Sequence, residues 1–334
     1  MKIFKETSNF ILPKDFLPIG FLCFLSIIFF YLNLAYPREE FNNFWLHNLS
    51  QTQKFILLEI RLPRVLIAFA AGMALALSGT ILQNIMRNPL ASPDIIGINA
   101  GACLGVVVLL IFFPQAPALL GAAIGALSVL CLLSFNISKN SFFGDFTDIK
   151  TILLSGIAIT AFCSALINFF ISFAPQQIAQ NIQIILSGSL ANSTWHDVLL
   201  LYSLILLLPL LIWIKRMLAY INLGEDIARS LGIPVKSAYF VGLTVAMVFS
   251  IFSVMIVGPI NFIALIAPQI AKKIFIPQNI ALFSSMLIGG LLLLIADFIT
   301  ILIPSSGRLP AGLITSFIGG GYFMKLIYKE LRKQ

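Results

Sequence analysis

The segment Ser237-Ala-Tyr-Phe-Val-Gly-Leu-Thr-Val-Ala-Met-Val-Phe-Ser-Ile-Phe-Ser-Val-Met-Ile-Val257 runs for 21 residues without a charged side chain. With a rise of 1.5 Å per residue, a helix of that length covers about 30 Å, the thickness of the hydrocarbon core of a bilayer. Its apolar positions are continuous and do not alternate with polar ones, which excludes a lipid-facing barrel strand and leaves a membrane-spanning α-helix.

Runs of the same character recur on both sides of it, separated by short polar breaks: Phe16–Ala35, Leu58–Leu82, Ile95–Phe113, Ala118–Asn136, Thr151–Phe173 and His196–Lys215 before it, and Pro259–Phe275, Asn279–Ile303 and Leu309–Ile327 after it. The run at Pro259–Phe275 is the shortest. Hydrophobic residues make up 59% of the 334 and charged residues only 10%, whereas soluble domains carry roughly 25% charged residues to face water. The expected fold class is therefore all-α, a polytopic membrane protein of about ten transmembrane helices in one domain covering residues 1–334. Phe16–Ala35 follows Lys2, Lys5 and Lys14 and so resembles a signal peptide, but it is longer than the usual apolar core of about 7–15 residues and is read as a retained helix.

Lysine and arginine collect in cytoplasmic loops of membrane proteins. With ten crossings and both termini in the cytoplasm, sixteen of the 21 basic residues fall on the cytoplasmic side and five on the outer side: Arg38, Lys54, Arg61, Arg64 and Arg308. The net charge of +8 is then a signal of topology and not a nucleic-acid footprint. Cys23, Cys103, Cys131 and Cys163 lie inside apolar runs without CxxC spacing, as packing cysteines do. His47 and His196 are the only histidines and are too far apart in the chain to define a metal site. Small residues cluster at Ala70–Gly79 and Gly319–Gly321, where they permit close helix approach within a subunit or at a dimeric interface.

Two polar segments interrupt this pattern. In residues 222–234, Leu223, Ile227 and Leu231 recur every fourth residue while Glu225, Asp226, Arg229 and Ser230 take the other faces, a short amphipathic helix between Gly224 and Gly232. Because its polar face mixes acids with a base, a protein partner fits it better than lipid headgroups. In residues 87–102, Pro89 and Pro93 end one helix, and Ser92 with Asp94 can cap the next, giving a rigid turn.

Six signatures occur in order: Arg61-Leu-Pro-Arg64, Gly72 through Ser78-Gly79, Asn88-Pro-Leu-Ala-Ser-Pro-Asp-Ile-Ile-Gly97, Leu223-Gly-x3-Ala-x2-Leu-Gly232, Gly258-Pro-Ile-x-Phe262 leading to Pro268, and Leu309-Pro-x-Gly312 with Thr315. Together they resemble the permease subunits of bacterial ABC importers for iron chelates and vitamin B12, the type II importer permeases, over Arg61 to Ile327. The resemblance implies a second permease subunit (a copy or a paralogue), two cytoplasmic ATPases that carry ATP and Mg, a periplasmic or lipoprotein binding protein, and no cofactor on this chain. It implies that Leu223, Gly224, Glu225, Ala228, Arg229, Leu231 and Gly232 form the coupling helix docked in the ATPase. It further implies that Asn88 and Leu90 narrow the cytoplasmic end of the pathway, and that Arg61 and Arg64 meet acids of the binding protein, with Arg308 standing in for a further outer arginine.

The sequence departs from the family at Ile149 and Lys150, where small hydroxyl residues are usual, and at Asn261, Ala264 and Gln269, which replace glycines and a Pro-His pair. It contains no Gly-x4-Gly-Lys-Ser/Thr loop, so the energy comes from a partner ATPase. A proton-coupled carrier would need buried acids at mid-membrane, and the one intramembrane acid, Asp297, falls near the outer end within reach of solvent. An intramembrane enzyme would need a Ser/His, His/Glu or Asp/Asp pair in the helices, and none is present. The expected cargo is an iron(III)-siderophore or ferric citrate, with vitamin B12 and haem as the alternatives.

Overall fold

The computed structural model describes residues 16–36, 50–139, 149–275, 282–303 and 309–331, all of them helical or in short connections. In chain order the helices are α1 (Phe16–Ala35), α2 (Gln51–Phe55), α3 (Leu62–Ile85), α4 (Pro93–Ile96), α5 (Ile98–Phe112), α6 (Ala118–Lys139), α7 (Ile149–Phe173) and α8 (Gln176–Leu186). They continue with α9 (Trp195–Tyr202), α10 (Leu208–Ile221), α11 (Glu225–Ser230), α12 (Val235–Val257), α13 (Ile263–Ile274), α14 (Leu282–Leu302) and α15 (Ala311–Leu331).

Prolines shape two continuous spans. Ser50 and Gln53 form a capping box that starts α2. The helix then widens to a π turn over Ile56–Arg61 before Pro63 enters the first turn of α3. Pro63 has no N–H and its ring crowds the preceding turn, so a local change of hydrogen-bond spacing lets the helix continue. The same device joins α9 to α10, through a 3-10 stretch at Ser203–Leu207 ahead of Pro209.

Six spans among the described residues are long and apolar enough to cross a bilayer: Leu17–Ala35, Gln51–Ile85, Leu154–Phe173, Trp195–Ile221, Val235–Val257 and Leu282–Leu302. Ile98–Phe112 is apolar but shorter, and the stretch Ala118–Leu132 of α6 is apolar as well. The expected crossing at Pro259–Phe275 is corrected, because α13 begins only at Ile263 and has 12 residues, about 18 Å of helix. Gly258 at φ 78° and Phe262 at φ 69° bend the backbone out of helical geometry first, and Pro259 has no N–H to continue the ladder. α8 was not expected at all, although Ile178, Ile182 and Ile185 of Gln176–Leu186 repeat at helical spacing.

α3 is the centre of the bundle, packed on α12, α13 and α14, with most of its side chains buried; α1 covers α14 from outside. Close backbone approach makes this possible. A Cβ on Gly79 would lie 1.7 Å from the Ala264 carbonyl oxygen of α13, and one on Gly72 would lie 2.3 Å from the Gly289 carbonyl oxygen of α14. Gly101 and Gly105 of α5 meet Gly121 and Gly125 of α6 in the same way. The small residues of α3 thus serve packing within this chain, whereas Gly320 and Gly321 of α15 face open space.

Candidate functional site

Both polar segments singled out in the sequence meet at the Arg87 end of α3. α11 starts at Gly224, whose φ of 131° is a conformation that side chains rarely tolerate. It ends in a Schellman closure, with the N–H of Gly232 (φ 76°) donating to Arg229 and the N–H of Ile233 donating to Ala228, so both flanking glycines are required by backbone geometry. Leu223, just before the helix, Ile227 within it and Leu231 at its end are each more than half exposed, while Ala228 is fully buried against the bundle. Ala228 was expected among the docking residues; the structure turns it inward, where its short side chain is fully buried.

Glu225 gathers the polar contacts of this end. Its Oε1 accepts from Tyr239 Oη of α12 at 2.9 Å and from Arg87 Nη2 at 3.4 Å, and its Oε2 lies 3.5 Å from Arg229 Nη2 one turn on. The Arg87 guanidinium also donates to the Ile221 carbonyl at 3.4 Å, and Asn222 Nδ2 donates to Asn84 Oδ1 at 3.4 Å. Arg87 has φ 46°, a left-handed conformation that a non-glycine residue holds only when its surroundings impose it.

The turn after Arg87 is closed on itself. Asn88 Oδ1 accepts from the Leu90 N–H at 2.9 Å, and the Asn88 carbonyl accepts from the Ala91 N–H at 3.1 Å, an Asx turn that leaves the Leu90 side chain exposed. Gln269 Nε2 of α13 donates to the Pro89 carbonyl at 3.1 Å and to Gln83 Oε1 at 2.7 Å, while Gln83 Nε2 donates to the Leu265 carbonyl at 3.1 Å. Sequence reading treated Gln269 only as a departure from the family pattern; in the fold it ties the turn to α13 and α3. Further along, Asn99 donates to Asp94 and its Oδ1 accepts from Ser250 Oγ of α12 at 3.3 Å. Desolvation in this corner raises the Asp94 carboxyl to about 7, against the lowering by the Asn99 amide.

At the opposite end of α3 the expectations need correcting. Arg64 Nε donates to both Asp297 oxygens at 3.1 and 3.0 Å, and Arg64 Nη2 donates to Oδ1 at 2.6 Å, with the two side chains 7% and 1% exposed. Arg61 is buried too, and its Nη1 donates at 2.9 Å to the carbonyls of Leu34 and Tyr36 at the end of α1, where a helix presents unpaired carbonyls and a negative dipole. Both arginines were expected to reach outward to a binding protein, yet both are committed inside the chain. Asp297 was expected within reach of solvent; it is buried, and its charge is matched by Arg64. Arg308 and His47 lie outside the described residues, as do the basic residues of both termini up to Lys14 and from Arg332 on.

The glycines of the last signatures come together at the C-terminal end of α8. The Gly312 N–H donates to the Gly188 carbonyl at 3.0 Å, and a Cβ on Gly258 would lie 2.5 Å from the Ile185 carbonyl oxygen. The ordered motifs are thus joined in space at both ends of one bundle. Residues 18–329 match the FecCD transport family. The chain belongs to that family.

Three curated relatives place this FecCD protein more closely. It is 34% identical to the Fe(3+)-citrate import system permease protein YfmE of Bacillus subtilis (strain 168), over 94% of each chain. It is 33% identical to the hemin transport system permease protein HmuU of Yersinia pestis, over 94% of this chain and 96% of that one. It is 33% identical to the ferric enterobactin transport system permease protein FepG of Escherichia coli (strain K12), over 85% and 86%. A solved structure described as an inward-facing conformation of a metal-chelate type ABC transporter superposes with a TM-score of 0.81 at 27% identity, covering 95% of this chain and all of that one. PsaBC from Streptococcus pneumoniae, at 18% identity and a TM-score of 0.53, shares the fold.

The chain is accordingly an all-helical permease subunit of a bacterial ABC importer for iron chelates, a class that includes haem. It is a transport component and not a catalyst, its family works without a bound cofactor, and an importer permease of this kind works with an ATPase and a binding protein.

Proposed function

We propose that this FecCD permease carries an iron(III) chelate, a siderophore or ferric citrate, into the cytoplasm. In this reading both termini lie inside, the Arg87 end of α3 is cytoplasmic, and residues 222–234 form the coupling helix. The observation that carries it is α11 itself. A six-residue helix, held at both ends by glycine backbone geometry, exposes Ile227, with Leu223 and Leu231 exposed at its two ends, beside the polar end of the bundle. Such a surface, rimmed by Asp226 and Arg229, suits a groove on a partner protein. The partner ATPase occupies it, with Leu223, Leu231 and the helix frame from Gly224 to Gly232 forming the joint. A second permease subunit completes the pathway, and ATP-driven closure of the ATPase pair rocks the helices.

Asn88 and Leu90 form the cytoplasmic constriction, because the Asx turn holds the exposed Leu90 at the mouth of the bundle. Docking of the binding protein belongs to the opposite end. There, Arg308 is the charge kept as a contact, since Arg61 and Arg64 are engaged within the chain. The cargo reading leans on relatives whose names specify ferric citrate and ferric enterobactin, and the haem relative makes haem the competing cargo.

The test is uptake of labelled ferric citrate, a ferric siderophore and haem by a strain lacking this permease, with and without the gene restored. Restoration of ferric-chelate uptake alone supports the proposal, and restoration of haem uptake alone overturns the cargo. Failure of the ATPase to copurify with the permease overturns the coupling assignment.

A further inference from the structure

We infer that Glu225 is the positioning residue that passes movement of the coupling helix to the cytoplasmic gate, through Arg87. The inference rests on the reading of α11 as the ATPase joint and of Asn88 and Leu90 as the gate, and it goes beyond that reading by naming the link between them.

Three features of the structure support it. The carboxylate is placed on α11, and beside its pair with Arg229 of the same helix it reaches Arg87 at the end of α3 at 3.4 Å and Tyr239 of α12 at 2.9 Å. Arg87 is the residue directly before Asn88, the first residue of the turn read as the gate. Asn88 bonds to the backbone of both Leu90 and Ala91, which closes the turn on itself.

The second feature is the strained backbone of Arg87. At φ 46° it occupies a region that costs a non-glycine residue of order 1–3 kcal/mol. Glu225 and the Ile221 carbonyl are the acceptors that hold its side chain in this position, so releasing them lets the backbone relax and re-aim the turn.

The third is the character of the contacts. The Arg87–Glu225 and Arg229–Glu225 pairs are long, 3.4 and 3.5 Å, and half exposed on the arginine side. A pair of this kind contributes little to stability and exchanges partners easily. That suits a link that must re-form in two arrangements.

The experiment uses the full importer, permease with its partner subunits and binding protein, reconstituted in vesicles. Glu225→Gln keeps an acceptor for Tyr239 and removes the charge that faces Arg87 and Arg229. The expected result, read only on importer that retains its ATPase subunits and normalised to the ATP hydrolysed, is substrate moved per ATP reduced about tenfold, within the range of coupling energies between linked sites. A second readout is thiol labelling of Leu90→Cys in a background where Cys23, Cys103, Cys131 and Cys163 are replaced. With Glu225 intact, labelling differs between the nucleotide-free and ATP-bound importer; with Glu225→Gln the difference disappears. Transport per ATP and nucleotide-dependent labelling that both match the unmodified importer overturn the inference. Equal loss of labelling in both states, with reduced yield, also overturns it, because that is the signature of a merely structural residue. Leu231→Asp serves as the separate control. If it fails to release the ATPase, the coupling-helix reading falls, whatever Glu225→Gln does.

Discussion

The two ends of α3 are built from the same residue types to opposite effect. At one end Arg64 and Asp297 form a buried pair joined by three hydrogen bonds, the shortest 2.6 Å, and Arg61 closes the end of α1. At the other, Arg87, Glu225 and Arg229 meet at 3.4–3.5 Å with the arginines about half exposed. A buried pair has lost its water and is therefore committed to its partner, so breaking it leaves an uncompensated charge. A half-exposed pair can trade its partner for water at little net cost. One helix is thus anchored where α1, α3 and α14 meet and is held by weaker, half-exposed pairs where it reaches α11 and the Asn88 turn. On the proposed rocking mechanism, this contrast would put the fixed point and the moving point on a single rod.

The largest test of the contrast is removal of one anchoring charge. Arg64→Ala or Asp297→Ala is expected to cost about 3–5 kcal/mol, seen as a sharp fall in folded yield and in the thermal unfolding temperature of detergent-purified protein. The double change Arg64→Met with Asp297→Leu is expected to recover most of that loss, because no charge is then left buried alone. A single variant as stable as the original would mean that this end is not an anchor.

Next comes the middle of the rod. Gly79→Val places methyl groups where the Ala264 carbonyl already stands, 1.7 Å from the Cβ position. The expected cost is about 1–3 kcal/mol or more, again by thermal unfolding. An unchanged unfolding temperature would show that α3 and α13 separate more freely than their close approach implies.

Gln269→Leu removes the bonds to Gln83 and the Pro89 carbonyl and is expected to cost about 1 kcal/mol. Vesicles carrying the importer should then leak substrate in the absence of ATP. A tight vesicle would separate Gln269 from the gate. The smallest effect on stability is expected at the exposed joint, where Leu231→Asp should change it by no more than about 0.5 kcal/mol while ATPase copurification drops steeply. If the unfolding temperature falls as far as for Asp297→Ala, the α11 end is as structural as the anchor. Ala228→Arg is not equivalent to it, since Ala228 is buried and a charge there disrupts the seat of α11 itself.

Much of this was legible in the residues. The uncharged run Ser237–Val257 and its repeats define helices in lipid, because a bilayer forces the backbone to satisfy its own hydrogen bonds. The spacing of Leu223, Ile227 and Leu231 around Gly224 and Gly232 marked α11. The turn at Asn88 could be read from its prolines. Where reading failed, the cause was local. α13 is short because backbone breaks at Gly258 and Phe262 are invisible to a hydropathy average. α8 was passed over because its five glutamine and asparagine side chains hide a regular isoleucine spacing.

The partners of charged groups were a different matter. Arg64 and Asp297 are 233 residues apart, Arg87 and Glu225 are 138 apart, and Gln83 and Gln269 are 186 apart. Composition and periodicity settle that this chain dissolves in lipid as a bundle of helices, because those properties depend on neighbours within a few turns. Whether a given arginine faces a solvent, a partner protein or a buried acid depends on which helices pack together. That is set by the sum of close contacts such as Gly72 on Gly289 and Gly79 on Ala264, and no single segment carries it.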